Sequence, residues 1–307
     1  MNRRVFFQSV CTVCSIACVG CGDQPRFQEK PAEGDSNDEF GSNEVDEGVS
    51  DTNWQLTFND EFDQRELDTS VWNVGYGWGR THPGLGSWEY VRDDDVWVDG
   101  RIDRLVLQAD YDEADGPYEH EYLPYHWYAG GVNTKSTFSQ RQGYFEARIR
   151  LPEIVEGILP AFWCMPDDGE FPPEIDIVEH FTEPYRTKAA IHWGERDLTD
   201  TVDYESELNS ASGPYDHDDD PRENFVVYGA HWQEDRTDFY VDNDHFLTVT
   251  DGHSVDPNRR ELNYGAPFYL MLSTQLSDEW GDPAQHDDYP YTWEIDWVRV
   301  WEEGDSA

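Results

Sequence analysis

Apolar residues along most of this chain come in short runs, and where a run is long enough to show a period, that period is two. Gly143-Tyr144-Phe145-Glu146-Ala147-Arg148-Ile149-Arg150-Leu151 alternates in this way, as a strand with one face in a core does. Val96-Trp97-Val98 and Leu105-Val106-Leu107 flank a turn-rich segment, Asp99 to Arg104, and read as neighbouring strands. Further strands are predicted over Phe225 to Trp232, Thr237 to Val241, His245 to Thr250, Phe268 to Thr274 and Trp293 to Trp301. Glu234-Asp235-Arg236 and Asp242-Asn243-Asp244 punctuate them. No long stretch has helical spacing and no internal repeat is found. The pattern predicts an all-β protein, a sandwich or jelly roll forming one domain over residues 51–303 with a short tail at 304–307.

The chain ahead of that domain has a different texture. Arg3-Arg4 precede an apolar stretch, Val10 to Val19, that is too short to span a bilayer as a permanent helix. A twin arginine in that position predicts export by the twin-arginine route. Cys18-Val19-Gly20-Cys21 resembles the lipobox of lipoprotein signals, with Cys21 as the lipidated residue. Residues 1–21 are therefore read as a signal segment. Residues 22–50, which include the acidic run Glu33-Gly34-Asp35-Ser36-Asn37-Asp38-Glu39, are read as a solvated linker. Cys11, Cys14, Cys18 and Cys21 sit among apolar residues with no nearby His or acid, which argues against a metal cluster. Only Cys164 belongs to the domain, so no internal disulfide is expected. The expectation is an extracellular monomer, tied to the cell membrane only by a lipid anchor or released from it.

Composition sharpens this picture. Aromatic residues make up 15% of the 307, too many for a disordered chain. Asp and Glu number 66 against 21 Lys and Arg, a net charge of -45, which excludes a nucleic-acid partner because phosphate contacts need clustered cations. Lysine is nearly absent, with only Lys30, Lys135 and Lys188. An acid-rich, lysine-poor surface suits a protein that works in molar salt, where the Debye length falls to about 3 Å. An ordinary acidic secreted protein is the other reading.

The candidate chemistry lies in Pro173-Glu174-Ile175-Asp176-Ile177-Val178-Glu179-His180. On a regular strand Glu174 and Asp176 share a face, while Glu179 points the other way. One bulge near Ile177-Val178 brings Glu179 to the face of the other two. On spacing alone, three surface acids in an acid-saturated chain fit as well as a catalytic group. Glycoside hydrolysis needs such a group, one carboxylate to attack the anomeric carbon and another to protonate the leaving oxygen.

Glu174-Ile175-Asp176-Ile177-Val178-Glu179 resembles the E-x-D-x-x-E strand of family 16 of the glycoside hydrolases. Phe58-Asn59-Asp60-Glu61-Phe62 with Leu67 to Trp72 is similar to the family's opening strand, Gly143 to Pro152 to its G-x-F-E-A-R-I-x-L-P strand, and Leu159-Pro160-Ala161-Phe162-Trp163 to its P-A-F-W segment. Glu294 to Trp301 resembles its closing strand, so the likeness spans almost the whole domain in order. The resemblance implies a jelly roll of two antiparallel sheets with a concave cleft, and an endo-acting, retaining hydrolase of an extracellular β-linked polysaccharide. It implies Glu174 as nucleophile, Glu179 as acid/base and Asp176 between them. Trp163 and His192 match positions that contact sugar, with a core role and a strand-end role as their other readings. Trp88 and Trp280 are candidate sugar platforms or core residues. No cofactor is implied for catalysis, and a structural calcium on the convex face is, held by Glu61, the Gly100 carbonyl and Asp296.

Two departures bear on substrate. Gly131 stands where many laminarinases have Arg, and Pro172-Pro173 precede Glu174 where many relatives have Gly or Trp-Asp. A β-1,3- or β-1,3-1,4-glucan is the expected substrate. Agarose, carrageenan or porphyran hydrolysis, transglycosylation, and a lectin-like module that binds without cleaving are the alternatives.

Overall fold

A computed structural model describes residues 54–82, 87–112, 119–120, 123–124, 126–153, 156–169, 171–194, 208–250, 266–277 and 289–304. The signal segment, the linker, Cys21 and Trp280 lie outside the described residues. No helix among the described residues is long and apolar enough to cross a membrane.

The strands run in chain order as β1 (Trp54–Asp60), β2 (Asn73–Val74), β3 (Glu89–Val91), β4 (Val96–Asp99), β5 (Arg104–Tyr111), β6 (Glu119–His120), β7 (Leu123–Pro124), β8 (Trp127–Ala129) and β9 (Gly131–Asn133). They continue as β10 (Gly143–Arg150), β11 (Ile158–Pro166), β12 (Glu174–Glu179), β13 (Arg186–Gly194), β14 (Leu208–Asp216), β15 (Val226–Trp232), β16 (Arg236–Val241), β17 (Asp244–Thr250), β18 (Phe268–Leu276) and β19 (Tyr291–Glu303). One sheet has ten strands in the order β17-β16-β15-β10-β19-β5-β8-β3, with β1 on β19 and β4 on β5. The other has seven, in the order β14-β13-β12-β11-β18-β9-β2. Each strand read from the hydrophobic pattern is present, and the two stacked sheets are the expected sandwich.

The alternating pattern of β10 explains its place. Phe145, Ala147 and Ile149 enter the core between the sheets, while Arg148 and Arg150 stay on the outer face. Ile175, Ile177, Ile191, Phe162 and Leu272 meet them from the seven-stranded sheet. β11 and β18 are buried at every position. Their near-continuous apolar runs fit strands covered on both faces, by the core on one side and by a second cluster on the other. That cluster contains Tyr76, Val91, Ala161, Trp163, Met165, Tyr269 and Met271. Cys164 is a buried free thiol.

The outer face of the ten-stranded sheet surrounds the residues of the expected calcium site with arginines. Both oxygens of Glu61 accept from Arg299, at 2.9 and 3.0 Å, and that guanidinium also lies 4.1 Å from the centre of the Trp297 ring. Asp296 is paired with Arg148 at 2.6 Å and faces Arg104 at 3.8 Å, while Glu294 takes Arg104 at 2.9 Å and also Arg150. Arg104, Arg148 and Arg150 surround the Phe225 ring at 4.4, 4.9 and 5.3 Å. Gly100 lies against the backbone of Gln64 and Arg65. A calcium ion there would have to displace guanidinium groups from both carboxylates, so these residues do not fit it.

Candidate active site

The register of β12 with its neighbours decides which side chains share the concave face. Directly opposed residues on neighbouring strands point the same way. Glu174 faces His192, and Asp176 faces Ala190, so two residues on one strand match two on the other. Between Asp176 and Glu179 the register slips: Glu179 faces Lys188, three residues on β12 against two on β13. The slip recurs on the other side, where Trp163 faces Asp176 and Phe162 faces Val178. Ile177 and Val178 are consecutive yet both lie in the core, as a bulge requires. The expected bulge is therefore present, and it turns Glu179 to the side of Glu174 and Asp176.

Two rows of side chains cross this face. Asn133, Met271, Trp163, Asp176, Ala190 and Ser212 form one, and Gly131, Ser273, Ala161, Glu179, Lys188 and Pro214 the other. Gly131, one of the two departures, thus shares a row with Glu179.

Close packing of the acids sets their charge. Burial and then the Asp176 carboxylate push Glu174 well above the usual carboxylate range. Burial and Asp176 likewise raise Glu179, while Lys188 and His192 hold it back, leaving it at about 7. His192 Nε2 lies 3.2 Å from Asp176 and 4.0 Å from Glu174. Burial opposes a charge on that imidazole, but Asp176, Glu174 and Glu179 outweigh it and raise His192 to about 9. Lys188 Nζ lies 3.2 Å from Glu179 Oε2. The three carboxyls thus face two cations, His192 and Lys188. Glu174, Asp176 and His192 offer ligand atoms within 4.8 Å of one another. With His192 raised to about 9, the three form an ion-paired cluster at neutral pH.

An aromatic shelf adjoins the acids. Trp163 is buried and donates from Nε1 to Ser273 Oγ at 3.0 Å, and its ring meets Trp78 edge-on at 6.0 Å. Trp78 is 43% exposed and stacks on Tyr76 at 5.2 Å and 4°. His82 packs edge-on against Trp78 at 4.9 Å. Tyr76 donates to the fully buried Glu89 at 2.6 Å, and Glu89 also accepts the Leu276 N–H at 2.9 Å. Gly77 is needed here because a Cβ at that position would come within 2.1 Å of the Tyr269 hydroxyl.

Of the residues singled out in the sequence, Glu174, Asp176, Glu179, Trp163 and His192 come together on this face. Trp88 is half-buried, with its backbone N–H donating to the Leu276 carbonyl at 2.8 Å. Trp78 and Lys188 were missed. The Gly75-Tyr76-Gly77-Trp78-Gly79 segment carried a signal for the first, aromatic rings on a glycine-rich turn. Only the strand register reveals the second.

Residues 53–303 match the family profile described as the GH16 domain of beta-porphyranases A–D. A glucan endo-1,3-beta-glucosidase A1 of Niallia circulans is 28% identical, over 81% of this chain and 38% of that protein. A beta-glucanase of Rhodothermus marinus is 27% identical, over 81% of this chain and 85% of its own length. The chain spans less than half the length of several of the curated relatives it matches. The laminarinase catalytic domain of Thermotoga maritima superposes with a TM-score of 0.68 at 25% identity, covering 82% of this chain and 99% of that domain.

Proposed function

This chain belongs to glycoside hydrolase family 16, and on that premise we propose that it cleaves a β-1,3- or β-1,3-1,4-linked glucan within the chain, with retention of anomeric configuration. The observation that carries the reading is the bulge that gathers Glu174, Asp176 and Glu179 on one concave face. Glucanase relatives and the laminarinase likeness support the substrate class.

Glu174 is assigned as the nucleophile. Its carboxylate bonds to the anomeric carbon while Glu179 gives its proton to the departing glycosidic oxygen. The Glu179 carboxylate then takes a proton from water, whose oxygen bonds to the anomeric carbon as the ester to Glu174 breaks. Burial and Asp176 raise Glu174 as they raise Glu179. The cationic His192 beside Asp176 and Glu174 opposes this and favours the negative charge on the nucleophile, while Glu179, at about 7, retains the proton near neutrality. The exposed Trp78 ring beside Trp163 offers a flat apolar surface for a sugar ring.

A galactan is the second reading. The porphyranase description of the matching profile favours it, and so does the presence of Lys188 on a cleft of an otherwise acidic chain. Incubating the protein at molar salt with laminarin, lichenan, agarose, porphyran and carrageenan separates the two. Oligosaccharides from laminarin or lichenan support the first, products from the galactans alone support the second, and binding without cleavage supports a lectin.

Arg3-Arg4 and Cys21 support export by the twin-arginine route and a lipid anchor, and the charge of -45 supports a halophilic setting. Cys21→Ser should turn a membrane-bound product into a released or unprocessed one.

A further inference from the structure

We infer that Lys188 is a positioning residue for proton transfer: its ammonium grips one oxygen of Glu179 and leaves the other free to carry the proton. The inference rests on the reading of Glu179 as acid/base. Lys188 stands directly across the strand pair from Glu179, with Nζ 3.2 Å from Oε2 and 5.1 Å from the centre of the Phe181 ring.

The choice of cation matters. Several carboxylates among the described residues are held by arginine forks: Arg299 on Glu61, Arg92 on Asp95 and Arg222 on Asp220 each take both oxygens. A fork occupies both oxygens and suits a carboxylate that stays ionised. A proton donor cannot be held that way. A single ammonium contacts one oxygen, and lysine, with only three copies in the chain, appears at this position.

In the first step the Glu179 proton passes to the glycosidic oxygen as the C–O bond breaks, and the new carboxylate faces Lys188. That contact stabilises the conjugate base and makes Glu179 the stronger acid. In the second step Glu179 takes a proton from water and the pair returns to its starting state. The other charged groups facing Glu179 are Asp176 and Glu174 on its own strand and His192 on β13. Its partner on β11 is the uncharged Ala161.

The test is the pH profile of kcat/KM for Lys188→Met, Lys188→Gln and Lys188→Arg on a polysaccharide that the unaltered protein cleaves. Methionine keeps a stem on Phe181, and glutamine is the alternative should methionine not fold. The basic limb should move up by about one pH unit in the two neutral variants. It should stay in place in Lys188→Arg, with kcat reduced because the fork takes both oxygens. A basic limb unmoved in the neutral variants, or moved equally in Lys188→Arg, overturns the inference. Glu179→Ala with azide as external nucleophile separates the two levels: rescue with an unmoved limb removes only Lys188, whereas undiminished turnover removes the acid/base reading.

Discussion

Tyr76 and Glu89 share a hydrogen bond of 2.6 Å where solvent does not reach, and the tyrosine ring that makes it is the one stacked under Trp78. Burial raises Glu89 to about 7, against 4.5 for an ordinary glutamate, so folding favours its protonated form. Stability from this group is full below about pH 4.5 and is lost as pH rises through about 7. Glu89→Gln removes the titration, and the Tyr76 hydroxyl can turn to accept from the amide. Thermal melts from pH 5 to 8 should show the variant gaining on the parent protein as pH rises. Parallel curves would contradict a buried titrating carboxyl.

Trp78→Ala should raise KM about tenfold, or about 1.4 kcal/mol, while kcat holds, because a stacking surface serves substrate and transition state alike. Steady-state kinetics on long and short oligosaccharides measure this. A fall in kcat with KM unchanged would place the indole elsewhere in the reaction.

Glu174→Ala should reduce turnover by about 10⁴-fold or more with the melting temperature little changed. Ile177, a core residue of the bulge, offers a second test: Ile177→Val should stay active and cost about 1 kcal/mol in thermal melts. A variant that folded normally yet lost activity would contradict a packing role for that side chain.

Melting temperature should rise with salt from about 0.1 to 3 M, since screening relieves the self-repulsion of a chain at -45. The arginine pairs of the outer face are partly buried and lose less to screening than exposed charges do. A midpoint that fell across this series would contradict the halophilic reading.

The strands were legible because each carries its own period: Phe145, Ala147 and Ile149 announce β10 with no help from elsewhere. β14, Leu-Asn-Ser-Ala-Ser-Gly-Pro-Tyr-Asp, carried no such signal, because it is an edge strand that pairs only with β13 and buries little. The bulge was legible from chemistry, since three acids at those spacings share a face only with one residue out of step. Lys188 was not, because which residue of β13 stands opposite Glu179 depends on pairing between strands. The arginines around the expected calcium ligands were not legible for a related reason. Glu61 and Asp296 were correctly seen as acids, but their arginines come from β5, β10 and β19, and no local pattern shows them converging.

That convergence changes what kind of equilibrium holds the outer sheet together. A sheet pinned by a bound ion has a stability that rises with the logarithm of the free ion, and a chelator can withdraw it. Here the counter-charges of Glu61, Glu294 and Asp296 are covalently part of the same polypeptide, so their local concentration is fixed at synthesis and cannot be diluted. The folding reaction of the domain is then unimolecular at this face. Its midpoint should be indifferent to calcium and to EDTA alike.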